Sequence, residues 1–148
     1  MATAAPMITL DLTKATEQLK RDEGFRQFPY TDTKGKMTIG YGFNLFSDGL
    51  SPEESSLVLQ HRVWKRYLAL IVALPWVKNL DEARQGVLLN MAYNMGVNDL
   101  FTFSQTLQHV LNGEYDAAAE SMMLSLWAKE VGDRAKRLSD QMRTGEWQ

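Results

Sequence analysis

The sequence predicts an α+β domain, and three observations carry that reading. Apolar residues recur at helical spacing from Leu12, two short β-prone runs flank a turn at residues 32–35, and helix signals repeat from Ser51 almost to the end. At 148 residues the chain has the size of one domain, enough to bury roughly two-thirds of the surface its unfolded state exposes. A hydrophobic fraction of 45% with four Trp, five Tyr and six Phe excludes intrinsic disorder. No apolar run nears the roughly 18 residues of a membrane span, and the N-terminus lacks the pattern of a secretory signal. Zero cysteines exclude a disulfide scaffold, a thiol nucleophile and a Cys-based zinc site, and two histidines, His61 and His109, cannot form a multi-histidine centre alone. No metal and no cofactor are expected. A net charge of −2 argues against nucleic-acid binding.

The elements follow in order. Residues 1–7 are small and featureless and read as a tail or tag, leaving 8–148 as one domain. Leu12, Ala15 and Leu19 then define a helix that Asp11 or Thr13 caps and Gly24 stops. Glu23, the last helical position, lies about 20° off the apolar line at roughly 100° per residue. That is an odd place for a carboxylate. Tyr30–Thr31 and Met37–Ile39 flank Asp32-Thr33-Lys34-Gly35, whose turn chemistry predicts a hairpin. Gly40 and Gly42 mark a bend or a close backbone approach. Ser51-Pro52-Glu53-Glu54 is a capping box with Pro at the first helical position. Leu57, His61, Trp64, Leu68 and Ile71 form the expected apolar face of the helix it starts, with His61 at an interior or boundary position. Asp81 opens a central helix apolar on most sides and stopped by Gly96. Ser104–Asn112, Asp116–Trp127 and Asp133–Arg143 read as three more helices.

The chemistry concentrates between residues 22 and 42. A carboxylate at a helix end, Glu23, is followed nine residues on by Asp32 at a turn, and six later by the Thr38 hydroxyl on the return strand. Glycosidic hydrolysis needs such a set: one protonated carboxyl to protonate the leaving oxygen, one ionised carboxylate to activate water or attack carbon. By itself a Glu-x8-Asp pair is common on protein surfaces, so spacing alone leaves both readings open.

Arg21-Asp22-Glu23-Gly24, Tyr30-Thr31-Asp32 and Thr38-Ile39-Gly40-Tyr41-Gly42 resemble the active-site segment of the bacteriophage-type lysozymes, glycoside hydrolase family twenty-four. The similarity continues through Asn90-Met91-Ala92-Tyr93-Asn94-Met95-Gly96, Arg134-Ala135-Lys136-Arg137 and Arg143-Thr144-Gly145-Glu146-Trp147, in the family's order, over roughly residues 8–147. The resemblance implies a mainly helical lysozyme-like fold: a small N-terminal β-hairpin lobe and a larger α-helical lobe joined by the long helix that begins at Ser51. It implies a muramidase that cleaves the β-1,4 bond between N-acetylmuramic acid and N-acetylglucosamine in bacterial peptidoglycan. Glu23 takes the place of the general acid, and Asp32 with Thr38 that of the pair holding the attacking water. Sugar-binding positions fall on Asn44, Tyr93, Thr106 and Ser121, and Arg134 matches the arginine that pairs with the catalytic Glu.

Each second-tier position also has a plainer reading: core packing for Tyr93, a solvent-facing helix residue for Ser121, an ordinary helix charge for Arg134. One departure stands out. Many relatives carry His after the second Gly of the block, where this chain has Phe43. Arg62, Lys65 and Arg66 form a basic helix patch that either is simply solvated or meets an anionic wall polymer or lipid. The expected partner is the peptidoglycan glycan strand, met by a monomer with no stable membrane insertion. The resemblance suits a phage endolysin held in the host cytoplasm until a membrane pore releases it. A virion tail lysozyme domain shares that chemistry, and a lytic transglycosylase is the enzymatic alternative.

Overall fold

A computed structural model describes residues 4, 5, 7 and 10–148. The tail expected over residues 1–7 lies largely outside the described residues. The chain forms two compact units, Met1–Ser56 and Leu57–Gln148.

The first unit opens with α1, Leu12–Glu23. The Asp11 carboxylate accepts from the Thr13 and Lys14 amides at 3.0 and 3.1 Å, satisfying two of the helix's unpaired donors. Gly24, with φ 69°, ends it and donates to the Lys20 carbonyl. Both ends match the sequence reading. The apolar line does not: no α1 residue is buried, and Leu12 and Leu19 are exposed. Three antiparallel strands follow, β1 (Arg26–Thr31), β2 (Met37–Gly40) and β3 (Phe43–Asn44), in spatial order β1-β2-β3. Tyr30 faces Thr38 across β1 and β2, and Thr38 faces Asn44 across β2 and β3. The β1–β2 register is irregular between Arg26 and Tyr30, where Pro29 has no amide hydrogen to give the ladder. The third strand was not expected, because two residues carry no periodicity.

Ser51 and Glu54 close the capping box as read: the Ser51 amide donates to Glu54 Oε2 at 2.7 Å, and the Glu54 amide to Ser51 Oγ at 3.1 Å. The helix they start, α2, runs from Pro52 to Ala73, from the first unit into the second.

In the second unit α2 corrects the sequence reading. Leu57, His61, Trp64 and Leu68 are exposed and, of the expected face, Ile71 alone packs against the core, whereas Val63, Tyr67, Leu70 and, just past the helix end, Leu74 are partly or wholly covered. The covered line is rotated because the Tyr67 hydroxyl donates to Gln85 Oε1 at 2.7 Å and Leu70 sits in the core. A 3-10 turn, Pro75–Asn79, leads to α3 (Glu82–Met95), α4 (Val97–Leu100), α5 (Ser104–Leu111), α6 (Tyr115–Met123), α7 (Leu126–Val131) and α8 (Asp133–Thr144). As expected, α3 is central: Ala83, Val87, Leu88, Met91 and Ala92 are buried. Val87, Leu88, Met91 and Ala92 share one core with Leu100, Val110, Met122, Leu138 and Met142. The single helix expected over 116–127 is two, because Ser125 caps a new start by accepting from the Ala128 amide at 3.1 Å. Arg84 closes the far end, donating to the Met142 and Arg143 carbonyls at 2.7 and 2.9 Å. No helix of the described residues is long and apolar enough to cross a membrane.

Candidate active site

The hairpin turn positions Asp32. Its amide donates to the Lys36 carbonyl at 2.8 Å, and its Oδ1 accepts from the Lys34 and Lys36 amides, both at 2.8 Å. One carboxylate oxygen is thus fixed by the backbone, and Oδ2 is left for other partners. Thr38, on the middle strand, is 4% exposed, and its Oγ1 donates to the Lys36 carbonyl at 3.2 Å. The Thr38 hydroxyl proton being committed there, the oxygen itself can accept. Lys36 therefore ties both side chains through its own backbone, a role that its side chain does not announce in the sequence.

Glu23 is exposed at the end of α1 rather than buried on an apolar face, which corrects the expected setting. Its carboxyl is seated over Gly42: a Cβ there would lie 2.6 Å from Glu23 Oε2 and 3.1 Å from Cδ. That is the close approach expected at Gly42, and with φ 77° the position favours glycine twice over. Phe43, in the place of the usual His, lays its ring against Gly40, 2.8 Å from a Cβ built there. Asn44 lies opposite Thr38 on β3. Its Oδ1 accepts from the Phe46 and Ser47 amides at 3.0 and 2.9 Å, so only the amide end of its side chain remains for a ligand. Glu23, Asp32, Thr38 and Asn44 all lie in the first unit. Among the described residues no group of His, Cys, Asp and Glu could hold a metal ion.

The second unit holds the other candidates. Thr106 Oγ1 and Ser121 Oγ are hydrogen-bonded at 2.8 Å, on the wall of a pocket of about 630 Å³ shared with Asp99, Phe103, Trp127 and Glu130. Thr106 is 2% exposed, so its hydroxyl serves the Ser121 side chain, and Ser121 is half-buried rather than fully solvent-facing. Trp127 stands edge-on to Phe103 with ring centres 6.0 Å apart and donates from Nε1 to Asn94 Oδ1 at 2.9 Å. Tyr93 does not line this pocket. It is half-buried on α3 and lines a second concavity of about 530 Å³ with Arg62, Lys65, Arg66 and Ala69. Arg134 is held by Asn90, donating to its Oδ1 from Nε at 2.9 Å and from Nη2 at 2.7 Å.

The family model described as phage lysozyme matches residues 20–144. A probable T4-type lysozyme of Dictyostelium discoideum is 26% identical, the alignment covering 87% of this chain and 93% of the relative. The endolysin of Salmonella phage P22 is 29% identical over 78% of this chain and 82% of its own. The pre-baseplate central spike protein of Enterobacteria phage T4 is 27% identical over 87% of this chain, which corresponds to 27% of that much longer protein. The matched span encloses the hairpin, its flanking helix end and most of the helical unit, and the chain belongs to the phage lysozyme family.

Proposed function

We propose that residues 8–148 form one catalytic domain of a muramidase, cleaving the β-1,4 bond between N-acetylmuramic acid and N-acetylglucosamine with inversion. Family membership carries the coarser statement, that the chain is a lysozyme-type hydrolase of peptidoglycan. The finer reading rests on one observation: Asp32 and Thr38 are fixed through the same Lys36 backbone, each with an oxygen left to accept from a water. Glu23 protonates the glycosidic oxygen as the C1–O bond breaks. The water held by Asp32 and Thr38 attacks C1 from the opposite face, and Asp32 takes its proton. A water between base and sugar calls for carboxyls about 6.5–9.5 Å apart. The family resemblance makes Asn44 in the first unit, and Tyr93 and the Thr106–Ser121 pair in the second, sugar-binding positions, and Arg134, held by Asn90, a supporting residue.

Proton NMR of the first turnovers tests the stereochemistry. The α-anomer is expected, and a β-anomer makes Asp32 a nucleophile and overturns the water-holding role. Mass analysis of the released muropeptides tests the reaction itself: reducing ends are expected, whereas anhydro ends identify a transglycosylase. Glu23→Gln should abolish turnover with the fold intact. The protein is read as a monomeric endolysin that waits in the host cytoplasm. The match to a phage spike protein favours a second reading, a virion-borne lysozyme, which detection of the chain in purified particles distinguishes.

A further inference from the structure

The cleavage steps proposed for Glu23, Asp32 and Thr38 make no use of the concavity between α2 and α3. Arg62, Lys65 and Arg66 line it from three neighbouring positions of α2, with Tyr93 of α3 as its aromatic wall. None of these cations belongs to an ion pair among the described residues. For about two turns on either side their own helix offers no counter-ion, since residues 55–73 contain no Asp or Glu. Arg62 and Arg66 stand one turn apart with like charge, an arrangement that disfavours the helix. The Tyr67–Gln85 bond fixes this stretch of α2 against α3. Like charges held unpaired in a concavity focus a positive field there. The cluster works against its own helix and in favour of an external anion.

We infer that this concavity is a subsite for the carboxylates of peptidoglycan peptide stems. The inference rests on the reading of Tyr93 as glycan-facing. If the sugar packs on Tyr93, an anion reaching the three cations belongs to a substituent of the same polymer, and the peptide stems carry carboxylates. A guanidinium takes a carboxylate through two parallel N–H···O bonds, and Lys65 adds a point charge beside it.

The test compares wall peptidoglycan with free stem carboxylates against the same material amidated at those carboxylates. The triple variant Arg62→Gln, Lys65→Gln, Arg66→Gln should raise KM on the free wall about tenfold with kcat within about twofold of the parent. Amidation should raise the parent's KM to the same degree, and the variant on amidated wall should show no further rise. Lys65→Glu, a change at an exposed position, should raise KM on free wall alone and guards against misfolding of the triple variant. An equal rise on both wall forms, or no rise on either, overturns the subsite. So does a rise that vanishes once phosphodiester polymers are stripped from the wall. If the parent hydrolyses neither material, the muramidase reading fails on its own. Co-sedimentation of parent and variant with the two walls then still decides the subsite.

Discussion

Gly42 carries the tightest constraint on a single residue. A methyl group there meets the Glu23 carboxyl, and φ 77° strains any L-residue. Gly35 has the same φ of 77° but nothing within 4 Å of an added Cβ. Gly42→Ala and Gly35→Ala should therefore share a backbone cost of about 1 kcal/mol, read as similar falls in Tm. Only Gly42→Ala should also lower kcat, by about tenfold or more if Glu23 is the acid. Equal kcat in the two variants would remove Gly42 as the seat of that carboxyl. The Lys36 link gives a second prediction. If Asp32 and Thr38 hold one water, Asp32→Asn and Thr38→Ala should damage the same step, and the double variant should lose less than the product of the two single losses. Strict additivity in log kcat would mean that they act separately. Glu23, Asp32 and Thr38 stand out in the sequence as candidates because side-chain chemistry at fixed spacing, beside further blocks in the family's order, leaves a motif. Lys36 was not, because it works through its amide and carbonyl, which every residue has. The pairing of Thr106 with Ser121 joins residues fifteen positions apart, and no local pattern announces such a contact.

At the level of elements, what was legible had a local cause. Asp11, Gly24, the Ser51–Glu54 box and Gly96 terminate helices by bonds within a few residues, so their sequence signatures survive folding. The covered face of α2 was misread because exposed Leu57, Trp64 and Leu68 imitate a core stripe, and only the partner α3 decides which side is covered. The helix over 116–127 was misread because a serine inside a helical pattern looks tolerable until it caps a new turn. The start of α3 yields a pH prediction. Asp81 caps it, accepting from the Arg84 amide at 3.0 Å and pairing with the Arg84 guanidinium at 2.9 Å. Desolvation pushes the Asp81 carboxyl up, but these hydrogen bonds and the Arg84 charge outweigh it, leaving the group below its ordinary 3.8. A depressed carboxyl contributes stability above its unfolded value and loses it as pH falls through the folded value. Asp81→Ala should cost about 1 kcal/mol near neutral pH. Asp81→Asn keeps a cap and should cost less, and its deficit should close below about pH 4 as the parent's carboxyl takes a proton. Urea unfolding midpoints across pH 3–7 measure both, and an Asn deficit that widens on acidification contradicts the assigned sign.

Across the whole molecule the two units differ in what holds them. Every buried apolar side chain identified among the described residues lies between Leu70 and Met142, in the second unit. The first unit buries Thr38 and Gly40, and otherwise relies on caps, strand bonds and turn bonds. Hydrogen bonds add roughly 1 kcal/mol each, whereas a fully buried aliphatic side chain contributes about 1.5–3 kcal/mol. The second unit should therefore carry most of the global stability, and the first should open at lower free energy. The candidate triad sits in the less stable unit, which has a functional consequence. On heating, hydrolysis should fail several degrees before the main loss of helical circular dichroism, because most of the helix belongs to Leu57–Gln148. Native-state hydrogen exchange should rank the amides in the same order, with α3 and α8 slowest and α1 with the hairpin fastest. Residual activity read promptly at each temperature, beside the dichroism trace, measures the gap. Coincident loss of both signals, with uniform exchange protection across the units, would mean that the chain unfolds as one cooperative body and that the hairpin unit is stabilised by more than its own bonds.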